Sequence, residues 1–185
     1  MIEELLAEGE RRMSRAIDDL KKDLNTVRTG RANPSILDNV VVEYYGTQTP
    51  LNGLAQISVG DPRQIVIQPY DRSSMAAIEK AIQKSDLGLT PNNDGTAIRL
   101  NIPPLTEQRR KDLVKQVHKM VEDHKVAVRN GRRDVHDKLK AMEKDKSASA
   151  DEIKRAQDRL QKITDRIIGE LDAAGRHKEE EIMTV

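Results

Sequence analysis

TEQRRKDLVKQVHKMVEDHKVAVRNGRRDVHDKLKAMEKDK, residues 106–146, repeats apolar or small side chains, with one histidine, at Leu113, Val117, Met120, His124, Val128, Gly131, Val135, Leu139 and Met142. The steps mix fours and threes and average close to the α-helical period, so a single narrow stripe faces a core along the whole length. No proline interrupts the pattern. At about 1.5 Å per residue the helix spans roughly 60 Å, more than a compact domain of this size needs.

The same helix sorts its charges by side. Lys111, Lys115, His118, Lys125, Arg129, Arg132, Arg133, His136 and Lys140 fall away from the apolar stripe, and Asp112, Asp123, Asp134 and Asp137 gather on the other flank. Between Arg109 and Lys140 there are eleven Lys/Arg against five Asp/Glu, whereas the whole 185-residue chain is only +1. Positive charge is therefore concentrated here against a neutral background. A solvated face explains an ordinary charge run. Arginines grouped within two turns go further, because the guanidinium fork suits phosphate.

Outward from this segment, Ile2, Leu6, Gly9, Met13, Ile17, Leu20, Leu24 and Val27 form a similar stripe, predicting a first helix from Ile2 to Val27 that stops at Thr29-Gly30. From Gly30 to Pro104 the texture changes. Residues 38–45, 54–59, 63–68 and 96–102 read as strands, with Gly46, Pro50, Gly53, Gly60-Asp61-Pro62 and residues 92–95 as turns. A short helix is expected from Ser73-Ser74 to Lys84. Thr106 is the expected N-cap of the long helix. Ser149 with Glu152 fits a capping box for a last helix carrying Ile153, Ala156, Leu160, Ile163, Ile167, Leu171 and Ala174, which Gly175 is expected to end or loosen.

Three single-stripe helices cover one another most simply as a bundle. The expected class is α+β: an elongated three-helix bundle from residues 1–29 and 105–185, with a small β-rich α/β domain, 30–104, inserted between its first two helices. The inbound and outbound connections of the insertion must then lie side by side, making Gly30, Arg31, Pro103, Pro104 and Leu105 a candidate two-strand hinge.

Composition narrows the function. There is no cysteine, which removes disulfides, thiolate metal sites and cysteine nucleophiles. The start MIEELLAEGERR has no leader-like apolar block and no run reaches membrane-spanning length, so a cytoplasmic protein is expected. Phe and Trp are absent, so a nucleic-acid partner would be held by backbone and shape, without base stacking. His118, His124, His136 and His177 show no metal-ligand spacing, and no phosphate-binding glycine loop or nucleophile elbow is present. No enzyme, metal or cofactor is expected. Tyr44, Tyr45 and Tyr70 read first as strand packing with hydroxyls at the domain edge, and second as a partner contact. Gly131, inside the apolar stripe, points to close approach of a neighbouring helix. Arg109-Arg110, Arg129, Arg132 and Arg133 are the candidate RNA-binding residues. A long basic helix could equally bind acidic protein, so a helical adaptor is the competing class.

LNTVRTGRANPSILD (24–38), VVVEYYG (40–46), PLTEQRRKDLVK (104–115) and VRNGRRD (128–134), together with the split bundle, resemble the bacterial ribosome recycling factors over essentially the whole chain. Gly131 departs from that family, which often has a larger aliphatic residue there. The resemblance implies an L-shaped, tRNA-like monomer that acts after termination. Its bundle would lie on ribosomal RNA of the large subunit, and its smaller domain would be approached by elongation factor G. GTP hydrolysis by that factor would drive the subunits apart. Arg110, Arg129 and Arg132 match the family's RNA-contacting positions, with Arg133 and Arg28 as weaker additions.

Overall fold

The computed structural model describes residues 1–61 and 63–184. The elements are α1 (Ile2–Asn25), β1 (Val41–Tyr44), β2 (Thr47–Pro50), β3 (Ala55–Asp61), β4 (Gln64–Pro69), α2 (Met75–Lys84), β5 (Pro91–Asn93), β6 (Ile98–Asn101), α3 (Glu107–Lys144) and α4 (Ala150–Thr184). They fold as two compact units: Met1–Leu24 with Val114–Glu180, and Asn25–Leu113 with Glu181–Val185.

The first unit is a bundle of α1, α3 and α4. Its seam follows the predicted stripes: Leu6, Met13, Ile17 and Leu20 from α1, Val117, Val128, Val135 and Leu139 from α3, and Ile153, Ala156, Leu160, Ile167 and Leu171 from α4 are all buried. On α3, however, Val121 is buried where the sequence reading placed Met120 and His124, which are half-buried. Each fully covered Leu, Ile or Val contributes about 1.5–3 kcal/mol relative to exposure. Glycines set the closest helix approaches. A Cβ on Gly9 would stand 2.6 Å from Val135 Cγ2, and one on Gly131 would stand 3.0 Å from Met13 Cγ. Gly131 is thus a packing glycine, as its place in the stripe suggested. Gly175 behaves the same way: α4 runs through it to Thr184, and a Cβ there would meet Val121 Cγ2 at 2.6 Å. The expectation that Gly175 ends or loosens the helix is corrected, because packing on α3 holds the helix across it. Ion pairs flank the seam, Arg12–Asp134 (2.6 Å) between α1 and α3, and Lys125–Asp172 (2.6 Å) between α3 and α4.

Thr106 caps as predicted, and at Ser149 the forward bond of the expected capping box forms. Thr106 Oγ1 accepts from the Arg109 N–H at 3.1 Å, and Ser149 Oγ accepts from the Glu152 N–H at 3.1 Å. The first helix ends earlier than expected, at Asn25. Val27 and Thr29 are buried in non-helical backbone, so the chain turns inward before Gly30.

The second unit holds a four-stranded antiparallel sheet in the order β3-β4-β6-β5 and a separate β1-β2 hairpin. Ile65 and Ile67 of β4 and Ile98 and Leu100 of β6 alternate inward, meeting Met75, Ile78 and Ile82 of α2 in one core with Ile36, Leu37, Val42 and Ile102. Tyr45 (φ 49°) and Gly46 (φ 75°) form a two-residue turn between β1 and β2, with the backbone signs of type I′. Asp71, whose carboxylate accepts from the Ser73 N–H, caps the helical turn leading into α2, a position the sequence suggested for Ser73-Ser74. Gly60 and Asp61, expected to turn, continue β3 across a register shift, and Pro62 lies outside the described residues.

Candidate nucleic-acid interface

The helical repeat of α3 sets Arg129, Arg132 and Arg133 side by side within just over one turn, all in the first unit. Their surroundings differ. Arg129 is exposed and its Nη1 donates to Glu122 Oε1 at 3.1 Å. Such an exposed pair is worth at most about 1 kcal/mol and yields readily to a stronger anion. Among the described residues, Arg132 (half-buried) and Arg133 (exposed) have no carboxylate partner. Elsewhere in the basic run, Lys111 pairs with Glu107, Lys119 with Asp123 and Lys125 with Asp172. Among the described residues, the uncompensated positive charge of α3 within this unit therefore sits at Arg132 and Arg133, with Lys115, Lys138, Lys140 and Lys144 also without an ion-pair partner. Two forked cations one position apart can hold successive phosphate oxygens without reading a base.

Arg28 and Arg110 belong to the second unit and find different partners. Arg110 Nη1 donates to the Ile182 carbonyl at 2.8 Å, joining the start of α3 to the end of α4. Arg28 Nη2 donates to the Pro103 carbonyl at 3.1 Å. Burial first, and the nearby Arg109 cation second, push the Arg28 guanidinium below its ordinary pKa. Nothing in local spacing reveals these bonds, since the partners lie 72 and 75 residues away. Of the candidate hinge residues, Gly30 and Leu105 are buried and Arg31, Pro103 and Pro104 are exposed. The Arg31 N–H donates to Thr29 Oγ1 at 3.3 Å. The Arg28–Pro103 bond brings the two connections within reach of each other.

The tyrosines depart from their first reading. Tyr44 is half-buried and its hydroxyl donates to Asp71 Oδ2 at 2.9 Å, a bond that pushes its pKa up to about 12. Tyr45 and Tyr70, however, are 82% and 72% exposed, so their rings are presented to solvent instead of packing on strands. The Tyr44 and Tyr45 rings meet edge to face with centroids 4.5 Å apart. The Tyr44–Asp71 bond draws all three tyrosines of the chain toward the same end of the second unit.

Two of the histidines act as helix ties. His124 shares its Nδ1 with the Met120 carbonyl (2.7 Å) and its Nε2 lies 3.3 Å from Asp23 of α1, while His118 of α3 meets Glu179 of α4. Among the described residues, no group of three His, Asp or Glu side chains is placed to hold a metal ion, and no helix is long and apolar enough to cross a membrane.

Residues 20–183 match the family model described as ribosome recycling factor. The chain is 54% identical over 185 residues to a ribosome-recycling factor of Carboxydothermus hydrogenoformans, covering 100% of both chains. It is 55% identical over 180 residues to one of Thermosynechococcus vestitus, covering 97% of this chain and 99% of the relative. Among solved structures it is similar to a solution structure of the ribosome recycling factor, with TM-score 0.77, 42% identity, and coverage of 100% of this chain and 98% of that one. It is also similar to a chain from models for the T. thermophilus ribosome recycling factor and the E. coli elongation factor G bound to the E. coli post-termination complex. That match has TM-score 0.68 and 48% identity over 99% of each chain.

Proposed function

We infer the activity of this chain from its family, the ribosome recycling factors, to which it belongs, and propose that with elongation factor G and GTP it splits post-termination ribosomes into subunits. Messenger and transfer RNA are then free for a new round of translation. The protein works in the cytoplasm as a monomer, without a cofactor and without chemistry of its own. The nucleotide is hydrolysed by the elongation factor, and this chain transmits force.

The observation that carries the reading is the unpaired Arg132–Arg133 set on a long, glycine-interlocked helix. Cations without carboxylates are free to hold phosphates of large-subunit ribosomal RNA, with Arg129 joining as it exchanges Glu122 for RNA. Arg28 and Arg110 make separate contacts from their own unit. A bundle whose seam is closed along three helices can carry a push applied elsewhere on the molecule, and the connections at residues 30–31 and 103–105 let the β-rich part reorient. The exposed Tyr45 and Tyr70 rings suit a protein partner at that part, and elongation factor G is the partner we assign.

Light scattering of purified post-termination ribosomes tests the proposal. Scattering should fall only when this protein, a matched elongation factor G and GTP are all present. If it holds steady while an active recycling factor in the same assay lowers it, the chain is a ribosome binder at most and the adaptor reading takes first place.

A further inference from the structure

Arg129 cannot turn to RNA without leaving a charge behind, because its Nη1 donates to Glu122 Oε1 at 3.1 Å in the free protein. Once the guanidinium leaves, a bare carboxylate stands two turns back along the same helix face, near the phosphates just bound, and like charges repel. Glu122 also lines a groove of about 270 Å³ between α3 and α4. Two opposed pairs cross this groove: Lys125 lies 2.6 Å from Asp172, and His118 meets Glu179. Two charged side chains are left on its walls, Glu122 from α3 and Arg176 from α4. Arg176 is exposed and, among the described residues, has no ion-pair or hydrogen-bond partner. Asp172, one turn before it on α4, is already held by Lys125. The two side chains left over are opposite in sign and sit on neighbouring helices of one compact unit.

We propose that Glu122 changes partner when RNA docks, from Arg129 of its own helix to Arg176 of α4, which makes Arg176 a positioning residue for the RNA-holding arginines. The inference rests on the RNA-binding reading of Arg129, Arg132 and Arg133 and adds to it a residue from a second helix. In the free protein Arg129 neutralises Glu122. On RNA Arg129 takes phosphate oxygens, and the Glu122 carboxylate crosses the mouth of the groove to the Arg176 guanidinium. No uncompensated carboxylate then faces the phosphate backbone. Only side chains move, because the contact of Val121 with Gly175 beneath the groove keeps α3 and α4 in place. By linkage, the cation at position 176 favours the released Arg129, and bound RNA in turn tightens the Glu122–Arg176 pair.

A double-mutant cycle on binding to purified large subunits tests the exchange. Arg176→Gln should weaken binding about two- to fivefold, the range of an exposed ion pair. Glu122→Gln, which frees Arg129 and removes the repelling charge, should tighten it. In the Glu122→Gln background Arg176→Gln should have no effect, since no carboxylate is left to receive. Arg176→Lys keeps a cation and should bind as the unchanged protein does. Weakening by Arg176→Gln that persists in the Glu122→Gln background overturns the exchange, and a salt slope lowered by about one would then mark Arg176 as a phosphate contact itself. Unchanged binding in Arg176→Gln alone overturns it as well. Should that variant fail to fold, Arg176→Met, which keeps the aliphatic stem without the charge, carries the same expectations. Failure of the underlying RNA reading is recognised separately, by unchanged binding in Arg132→Ala.

Discussion

Gly175 and Gly169 lie six residues apart on α4, and alanine should act on them with opposite sign. Around Gly169 no atom comes within 4 Å of where an added methyl would sit, so Gly169→Ala gains only helix propensity, about 1 kcal/mol of added stability. At Gly175 the same gain meets Val121 Cγ2 at 2.6 Å. Carbon atoms rest at about 3.5–4.0 Å, so the overlap is about 1 Å, and it falls on a stiff β-branched side chain. Overpacking of this kind costs about 1–3 kcal/mol, leaving Gly175→Ala about 1 kcal/mol less stable after the propensity gain. The two variants should thus differ by about 2 kcal/mol, close to 1 M in urea midpoint at an m-value of about 2 kcal/mol per M. Urea titrations followed by far-ultraviolet circular dichroism measure this, provided the slopes agree. Val121→Ala should cost less in the Gly175→Ala background than alone, with a coupling of about 0.5–3 kcal/mol. Equal stabilisation by both alanines would mean that α3 and α4 are not pressed together at Val121, and the close-approach reasoning would fail.

Arg132→Ala should weaken binding to large subunits and lower the salt slope of log K by about one, as expected for one lost phosphate contact; a folded variant with the original affinity and slope removes Arg132 from the interface. Tyr44 keeps its proton in the folded state up to about 12, above its ordinary 10, so its contribution to stability is complete below pH 10 and is lost as pH rises toward 12. An absorbance titration at alkaline pH should contain a phase near 12 that disappears in Tyr44→Phe, and a titration identical in the variant rules out the Asp71 bond. Asp94 accepts from the Thr96 and Ala97 N–H groups, the Thr96 hydroxyl and Arg99, which hold its carboxyl well below the usual range. Its contribution is therefore present above the ordinary carboxylate pKa and disappears only as pH falls through the depressed one. Carboxyl NMR shifts of Asp94 should stay unchanged down to about pH 4, and a midpoint at the ordinary aspartate value contradicts the clamp.

The helices were legible because each writes its buried face as a 3.6-residue repeat, from Leu6 to Leu24, Leu113 to Leu139 and Ile153 to Leu171. Strand β2 (TQTP) was not, because it lies against β1 with almost every side chain exposed, leaving no alternation to read. Strand β5 (PNN) has the same character: it exists through pairing with β6, and two of its three residues are exposed and polar, as in a turn. Gly175 shows the limit at a single residue, since glycine near a helix end and glycine under a neighbouring helix look alike in sequence. Among the site residues, Arg129, Arg132 and Arg133 could be grouped from spacing alone because one helix carries them. The carbonyl partners of Arg28 and Arg110 arise from the closing of distant segments, which no local pattern encodes.

The pairing of α1 with α3 also sets an order of events during synthesis. The stripe of α1 is covered by residues such as Val135, which leave the ribosome more than a hundred residues after Gly9. At about 5–20 residues per second that delay is on the order of ten seconds. Meanwhile every core residue of the β-rich part, from Ile36 to Ile102, has already been made and can close its sheet. The first helix produced thus waits with Leu6, Met13, Ile17 and Leu20 uncovered, and nascent-chain chaperones have most to protect here. The helix made first is buried last.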